Sequence, residues 1–180
     1  MSIVLQFLTH LRHTHQLQLP GRARRLPDNT FEVAGPDPAP VDDGATRGLA
    51  LTALKGIVID NTKAKLTGSW TSGASLNFVG TDYAYARGPG HTATFEFTVP
   101  ATGRYEVRFA TAAHENRASN TAVTVHHADG TSTIAVNQRV PGPIEGRWVS
   151  LGAHRFTAGQ TFSVTVDAAK ANGNAHIDAV

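Results

Sequence analysis

Apolar and polar residues alternate with a period of two along most of the chain after residue 90. The stretches 92–99, 103–110, 121–127 and 161–167 all follow this pattern. The period is typical of β-strands that have one face in a core and the other towards solvent. Asp129-Gly130 lies between two alternating stretches and is a strong signal for a tight hairpin turn. The pattern therefore predicts antiparallel β-strands.

Shorter apolar runs predict further strands. Residues 57–59 read as a buried strand, and two short strands are expected on either side of Gly80. Residues 148–156 are predicted to form a strand pair that turns at Gly152. About nine strands with frequent turns favour an all-β fold, an antiparallel β-sandwich that is jelly-roll-like. We expect this domain to span residues 56–180.

The residues before the sandwich have a different pattern. Residues 1–20 carry an apolar helical stripe followed by a short alternating run, and are expected to form a short helix and strand left from a preceding domain. Residues 21–55 are rich in Pro, Gly, Asp and Arg and are expected to be a poorly ordered linker, with residues 49–54 docking on the domain edge. A chain that begins at Gly56 is therefore predicted to fold as stably as the whole.

Composition narrows the function classes. The 180 residues include 41% hydrophobic and 17% charged residues, with 17 Gly and no Cys. This profile suits a β domain with many turns and excludes disulfides and thiolate metal sites. The formal net charge of +2 is too small to indicate a nucleic-acid partner. No apolar run reaches the roughly 18 residues of a membrane helix, and the run at 3–8 is too short for a signal-peptide core.

Catalytic and metal signatures are absent from the sequence. No nucleophile elbow, phosphate-binding loop or His-Glu-x-x-His motif occurs. The adjacent His126 and His127 point to opposite faces of a strand and cannot share one metal. The group at His10, His13 and His15 has no carboxylate partner and is interpreted as solvated side chains. We predict no catalytic residues, no metal site and no cofactor.

A polar stretch at residues 114–120 separates two predicted strands and is the main candidate for a binding site. Planar Asn and Arg groups can form hydrogen bonds with sugar hydroxyls or a uronate carboxylate. Aromatic rings elsewhere in the chain can supply a platform for the face of a pyranose. The candidate ligand-binding residues are Trp70, Tyr83, Tyr85, Asn116, Arg117, Asn120, Gln138 and Trp148.

A structural interpretation of the same residues stays open. Asn116 and Asn120 can satisfy backbone groups where the chain passes between sheets, and Arg117 can pair with a carboxylate such as Asp60 or Asp178. Trp70 and Trp148 can equally be core residues.

An ordered set of short motifs resembles a known family. The set comprises Gly56-Ile-Val-Ile-Asp60-Asn61-Thr62, Leu66-Thr-Gly68-Ser-Trp70, Tyr83, Asn116-Arg117-Ala-Ser-Asn120, His126, Asp129-Gly130, Val136-Asn137-Gln138-Arg139 and Ile177-Asp178-Ala179-Val180. Together these resemble the golvesin C-terminal-like domain, also known as the xanthan-lyase-type carbohydrate-binding domain. The resemblance covers residues 56–180.

The resemblance implies a non-catalytic accessory module appended to a larger enzyme. Its expected partner is a polysaccharide, or a fused catalytic domain on which it packs as a purely structural unit. The parent enzyme would be a polysaccharide lyase or an FAD-dependent-oxidoreductase-like protein, and the chain would be its C-terminal fragment. The expected location is secreted or periplasmic if that parent carries a signal peptide.

Overall fold

The computed structural model describes residues 23–25, 31–33 and 48–180. Within these residues the regular secondary structure is strand, apart from two single turns of 3₁₀ helix at Leu51–Ala53 and Asn61–Lys63. The strands, in chain order, are β1 (Ala23–Arg25), β2 (Phe31–Val33), β3 (Gly48–Leu49), β4 (Lys65–Thr67), β5 (Thr71–Gly73), β6 (Phe78–Val79), β7 (Tyr83–Ala86), β8 (Thr92–Thr98), β9 (Gly103–Ala110), β10 (Thr121–His127), β11 (Gly130–Val136), β12 (Trp148–Phe156), β13 (Thr161–Asp167) and β14 (Ala175–Ile177). The helix predicted before residue 20 lies outside the described residues.

Two layers of antiparallel strands form the body of the domain. One layer is a five-stranded sheet in the order β11-β10-β13-β8-β4. The other contains the pair β12-β9 and the three-stranded sheet β14-β7-β5. A hydrogen bond of 2.8 Å from the Ala110 amide at the end of β9 to the Ala179 carbonyl after β14 joins these two groups. The predicted antiparallel β-sandwich is therefore confirmed.

The core lies between the layers and is built by the alternating residues. The five-stranded sheet contributes Phe95, Val123 and Val164, and the opposite layer contributes Phe109 and Ile177. All five side chains are fully buried. Burial of an apolar side chain of this size stabilises the fold by about 1.5–3 kcal/mol. Because the period of two places every second side chain of each strand between the layers, it accounts for the two-layer architecture.

The hairpin predicted at Asp129-Gly130 is present. β10 and β11 pair antiparallel, with His127 opposite Gly130 and Val123 opposite Ile134. Gly130 has a φ of 126°, a backbone conformation that residues other than Gly rarely adopt. The two short strands expected around Gly80 are β6 and β7.

The prediction for residues 148–156 was wrong. These residues form one continuous strand, β12, which pairs with β9 along its length. The register shifts between Ser150 and Ala153, and Gly152 takes a φ of 97°. The glycine accommodates a β-bulge in the strand and does not turn the chain back, because one extra residue can be absorbed without breaking the pairing on either side.

The segment before residue 56 contains defined structure. β1 and β2 form a short antiparallel pair within the stretch expected to be linker. Residues 1–45 and 46–180 are separate compact units. In the second unit, β3 pairs in parallel with β6, and the Gly80 amide donates to the Leu49 carbonyl at 2.9 Å. Residues 48–54 thus belong to the edge of the sandwich.

These contacts change the expectation for truncation. We expect the free energy of unfolding to be about 1–2 kcal/mol lower for a chain that begins at Gly56 than for a chain that begins at Thr46. The shorter chain loses the β3–β6 pairing and the packing of Leu54 against Val79 and Trp148. Urea unfolding of the two chains under one condition measures the difference, and equal midpoints would contradict the expectation.

Candidate functional site

Arg117 is the centre of the polar crossing, which carries the chain from β9 in one layer to β10 in the other. Its side chain is buried, with 2% of the residue exposed. The guanidinium carbon lies 5.1 Å from the ring centroid of Tyr83 and 4.9 Å from that of Tyr85. Both distances are within the range of a cation–π contact, which is stronger when the cation is desolvated. Arg117 therefore contacts two aromatic rings of β7.

The ion pair expected for Arg117 is not formed. Across residues 48–180 neither Asp60 nor Asp178 makes a salt bridge with it, and Nε of Arg117 is buried without a hydrogen-bond partner. Asp60 instead accepts from the Thr62 amide and hydroxyl, and Asp178 accepts from the Val79 amide. Burial lowers the pKa of Arg117, and the neighbouring Tyr83 opposes this effect. An arginine remains charged in a protein. The rings of Tyr83 and Tyr85 therefore contact a guanidinium cation that is shielded from water.

His176 completes this buried cluster and was not recognised in the sequence. It is fully buried on β14, and its ring centroid lies 4.9 Å from that of Tyr83. Neither ring nitrogen has a hydrogen-bond partner among the described residues. Burial, and secondarily the positive charge of Arg117, lower the pKa of His176 well below its usual value, so the ring is neutral. The sequence signal that could have identified His176 is its position as a histidine inside a short apolar strand.

Strand alternation places this cluster outside the main core. Ala84 and Ile177 point into the core between the two layers. Tyr83, Tyr85 and His176 alternate with them on paired strands and so occupy the opposite face of the sheet. We call Tyr83, Tyr85, Arg117 and His176 the tyrosine–arginine cluster. Tyr85 is half-buried, whereas the other three residues of the cluster are buried.

Gln138 supports the cluster from inside the fold. Its Oε1 accepts from the Thr121 hydroxyl at 2.8 Å and from the His176 amide at 2.9 Å. Its Nε2 donates to the His176 carbonyl at 2.7 Å. Gln138 is fully buried, so these hydrogen bonds tie β14 to the residues that follow β11.

The side chain of Asn120 is occupied within the protein. Its Nδ2 donates to the Lys170 carbonyl at 3.0 Å, and its Oδ1 accepts from the Asn172 amide at 2.8 Å. Asn172 in turn accepts from the Ser119 amide at 2.9 Å. This reciprocal pattern satisfies backbone groups of two loops, as the structural interpretation of the crossing requires.

Asn116 differs from Asn120. It is exposed, and its backbone carbonyl accepts from the Asn174 amide at 3.0 Å. Among residues 48–180 no hydrogen bond is formed by its side-chain amide, which is therefore available at the surface beside the buried Arg117.

The two tryptophans lie apart from the tyrosine–arginine cluster. Trp70 is half-buried against the main core, and its Nε1 donates to the Thr67 carbonyl at 3.0 Å. Trp148 is buried with Val79, Ala110 and Ala179 in a second, smaller apolar group. Trp148 also lines a cleft of about 890 Å³ between residues 53–59 and β9. The candidate residues are thus divided among three places on the domain: the tyrosine–arginine cluster, the main core at Trp70, and the second apolar group at Trp148.

Buried carboxylates gather at the turn between β6 and β7. Both oxygens of the fully buried Asp178 accept from the Val79 amide, at 3.0 and 3.1 Å. Burial raises the pKa of Asp178 to about 8, with further contributions from the charges of Asp60 and Asp82. The hydrogen bond from Val79 and the charge of Arg147 act in the opposite direction. The carboxyl group is therefore largely neutral at pH 7.

The sequence predicted neither a catalytic site nor a metal site. Two surface glutamates are held in salt bridges. Glu106 pairs with Arg108 at 2.7 Å on the surface, and Glu96 pairs with Lys65 at 2.7 Å. Within residues 48–180 no three acidic, histidine or cysteine side chains converge in a way that could hold a metal ion. The described residues also contain no helix that is long and apolar enough to cross a membrane.

The fold and this cluster define a domain of the antiparallel β-sandwich class. A family model for the golvesin C-terminal domain matches residues 57–180. The chain belongs to that family.

Two xanthan lyases are similar to this chain. The xanthan lyase of Bacillus sp. (strain GL1) is 33% identical over 144 residues, which are 76% of this chain and 14% of that protein. The structure of a Paenibacillus xanthan lyase superposes with a TM-score of 0.63 and 34% identity, over 68% of this chain and 12% of that one. The chain thus spans a small part of the length of these relatives.

A mannan-binding module from Man5C in bound conformation is a more distant match. It has 16% identity and a TM-score of 0.44, over 69% of this chain and 94% of that one. This likeness is too distant to carry an argument about the ligand.

Proposed function

We propose that this domain is a non-catalytic accessory module that binds polysaccharide within a larger enzyme. Two similar proteins are named xanthan lyases, and the match covers only 14% and 12% of their lengths. The matched domain is a small part of an enzyme that acts on a polysaccharide. Such a domain is well suited to holding the polymer near the active site. The parent of this chain would be a polysaccharide lyase or an FAD-dependent-oxidoreductase-like enzyme.

The observation that carries the proposal is the half-buried Tyr85 in contact with Arg117, together with the exposed side-chain amide of Asn116, the residue before Arg117. An aromatic face packs against the C–H face of a pyranose, and a side-chain amide can donate to and accept from sugar hydroxyls. Arg117 contacts the Tyr85 ring at 4.9 Å and holds it in place. In this proposal Tyr85 and Asn116 touch the sugar, whereas Tyr83, Arg117, Gln138 and Asn120 position them.

Polysaccharide retention tests the proposal. We expect Tyr85→Ala to weaken binding to a retained polysaccharide, such as xanthan, at least tenfold, and Asn116→Ala to weaken it about threefold. His126→Ala is the matched control, because His126 is exposed on β10 in the other layer and should leave binding unchanged. Affinity electrophoresis against a panel of polysaccharides gives the comparison.

The outcome that contradicts the proposal is equally specific. If wild-type protein is retained by no polysaccharide in the panel, the domain is better described as a structural unit that packs on a fused catalytic domain. If wild type is retained and Tyr85→Ala binds equally well, polysaccharide binding stands but the site lies elsewhere.

A further inference from the structure

Arg87 directly follows β7 and is exposed beside the tyrosine–arginine cluster. Side chains alternate along a strand, so Tyr83, Tyr85 and Arg87 follow one face of the chain at steps of roughly 7 Å. This is the face of the sheet that points away from the main core. The sequence did not single out Arg87, which opens the loop Arg87-Gly-Pro-Gly90.

The strands on either side of β7 add polar groups around Tyr85. On one side, β14 places His176 opposite Tyr85, and Asn174 lies two residues before His176 on the same face. On the other side, β5 places Thr71 opposite Tyr85. Thr71 is exposed and Asn174 is half-buried. Hydroxyl and amide groups thus surround the tyrosine on this face.

The polar crossing pairs with the residue before β14 and borders the same face. Arg117 forms a parallel bridge with Asn174. The Asn174 amide donates to the Asn116 carbonyl at 3.0 Å, and the Ala118 amide donates to the Asn174 carbonyl at 2.9 Å. On the other side of Asn174, the register of β14 and β7 continued by one residue places Arg87 opposite it. Arg117 and Arg87 therefore flank Asn174, with their backbones roughly 10 Å apart.

The cations of this face have no carboxylate partners in the domain. Across residues 48–180 the salt bridges are formed by other side chains, so Arg87 and Arg117 are both unpaired there. Arg139 adds a third guanidinium at the border, where its Nε donates to the Arg117 carbonyl at 2.8 Å. Unpaired positive charge on a face that also carries an aromatic ring complements a negatively charged ligand.

The nearby acidic residues do not cancel this charge. Asp82 precedes Tyr83, but its two oxygens accept from the Asn61 amide at 2.8 Å and the Ser72 hydroxyl at 2.9 Å. Glu115 is two residues before Arg117 and is exposed. One exposed carboxylate against three guanidinium groups leaves the face positive.

We propose that Arg87 binds the carboxylate of a uronic acid, so that the polysaccharide recognised by this domain is an acidic one. The inference rests on the proposed function, in which a sugar ring lies on Tyr85. The carboxylate of a uronic acid projects from the ring carbon next to the ring oxygen, so such a ring can direct it along the strand to Arg87. A guanidinium offers two parallel N–H donors that match a carboxylate. Arg117 is buried and contributes through its charge, which is screened less than a charge at the surface.

An acidic polymer and its carboxyl-reduced form test the proposal. Alginate, polygalacturonate and xanthan are each compared with a reduced form in which the carboxylates are converted to neutral hydroxymethyl groups. We expect the full chain to bind at least one acidic polymer about tenfold or more tightly than its reduced form. Arg87→Gln should lose this preference and bind the two forms within about twofold of each other. Isothermal titration calorimetry at one ionic strength gives the affinities.

Arg104→Gln is the matched control, because it changes the side chain and the net charge in the same way. Arg104 is exposed on β9, six residues and roughly 20 Å along the strand from Ala110, where β9 joins the chain after β14. This variant should keep the preference for the acidic polymer. Arg87→Lys keeps the charge but loses the planar fork, so it should keep only part of the preference. Equal urea midpoints for wild type and Arg87→Gln show that the fold is intact.

Three results would overturn the inference and leave the proposed function standing. Equal binding of an acidic polymer and its reduced form by wild type would show that no carboxylate is recognised. A preference that persists in Arg87→Gln would place the carboxylate elsewhere on the domain. Equal losses in Arg87→Gln and Arg104→Gln would identify an effect of net charge alone. If wild type binds neither form of any polymer, the proposed function fails together with the inference.

Discussion

Replacement of Arg117 by Ala is expected to lower the free energy of unfolding by about 2–4 kcal/mol. The substitution removes two cation–π contacts made by a desolvated guanidinium, each worth up to about 2 kcal/mol. It also leaves a cavity above Tyr83 and beside the fully buried His176. Because no carboxylate of residues 48–180 is paired with Arg117, loss of the cation does not strand an opposite charge among them, and some of its own desolvation cost is recovered.

Two further variants separate the contributions. Arg117→Lys retains the charge but loses the planar group that lies against the rings, so we expect an intermediate loss of stability. Arg155→Ala is the control, because Arg155 is exposed and pairs with the exposed Asp129 at 3.8 Å. That change should cost less than about 1 kcal/mol. Urea unfolding at one pH makes the comparison, and an Arg117→Ala midpoint equal to that of wild type would show that the cluster contributes nothing to stability.

Stability is expected to fall as the pH rises from 6.5 to 8, and Asp178 is the cause. Its pKa is raised to about 8 in the folded protein, whereas an ordinary Asp titrates near 3.9. Between these values the folded state binds one more proton than the unfolded state, so raising the pH favours unfolding. The cost is on the order of 1.4 kcal/mol per pH unit, or about 2 kcal/mol across this window.

The lower limit of the window is set by His176. Its pKa is lowered in the folded state, so below about pH 6.5 the unfolded state binds the extra proton and stability falls as the pH decreases. The two groups therefore oppose each other between about pH 4 and 6.5. Between about pH 6.5 and 7.5 the unfolded state still binds part of a proton at His176, which offsets a small part of the slope, and above about pH 7.5 the slope belongs to Asp178.

Asp178→Asn isolates this effect. The amide is neutral at every pH and can still accept from the Val79 amide, so the variant should lose less than half as much stability as wild type between pH 6.5 and 8. Asp129→Asn, at an exposed turn, should behave as wild type. Urea unfolding at several pH values gives the slopes, and parallel curves for wild type and Asp178→Asn would contradict the assignment.

The sequence by itself determined the class of fold. The alternation of Phe95, Val123 and Val164 with polar neighbours places one face of each strand in a core, and this follows from the pleat of a strand whatever its partners are. The turn at Asp129-Gly130 could be located for the same reason, since its conformation depends on local backbone preferences. The ordered motifs from Gly56 to Val180 were sufficient to indicate the family that the comparison then showed.

Signals that depend on a neighbour in space were less informative. Gly152 can serve either a turn or a bulge, and the pairing of β12 with β9 decided for the bulge. Residues 48–54 lack a periodic pattern because a two-residue strand such as β3 is too short to show one, and its place is set by its pairing with β6.

The candidate site depended most on the tertiary structure. The sequence singled out Arg117 and two tyrosines, but residue types alone cannot tell a carboxylate partner from an aromatic one. Contact between Arg117 and Tyr83 joins positions 34 residues apart, and His176 enters from the last strand of the domain. Burial of Asp178 raises its pKa, and burial is a property of the assembled layers. Local periodicity thus determined which faces are buried, whereas long-range packing decided which polar groups meet inside them.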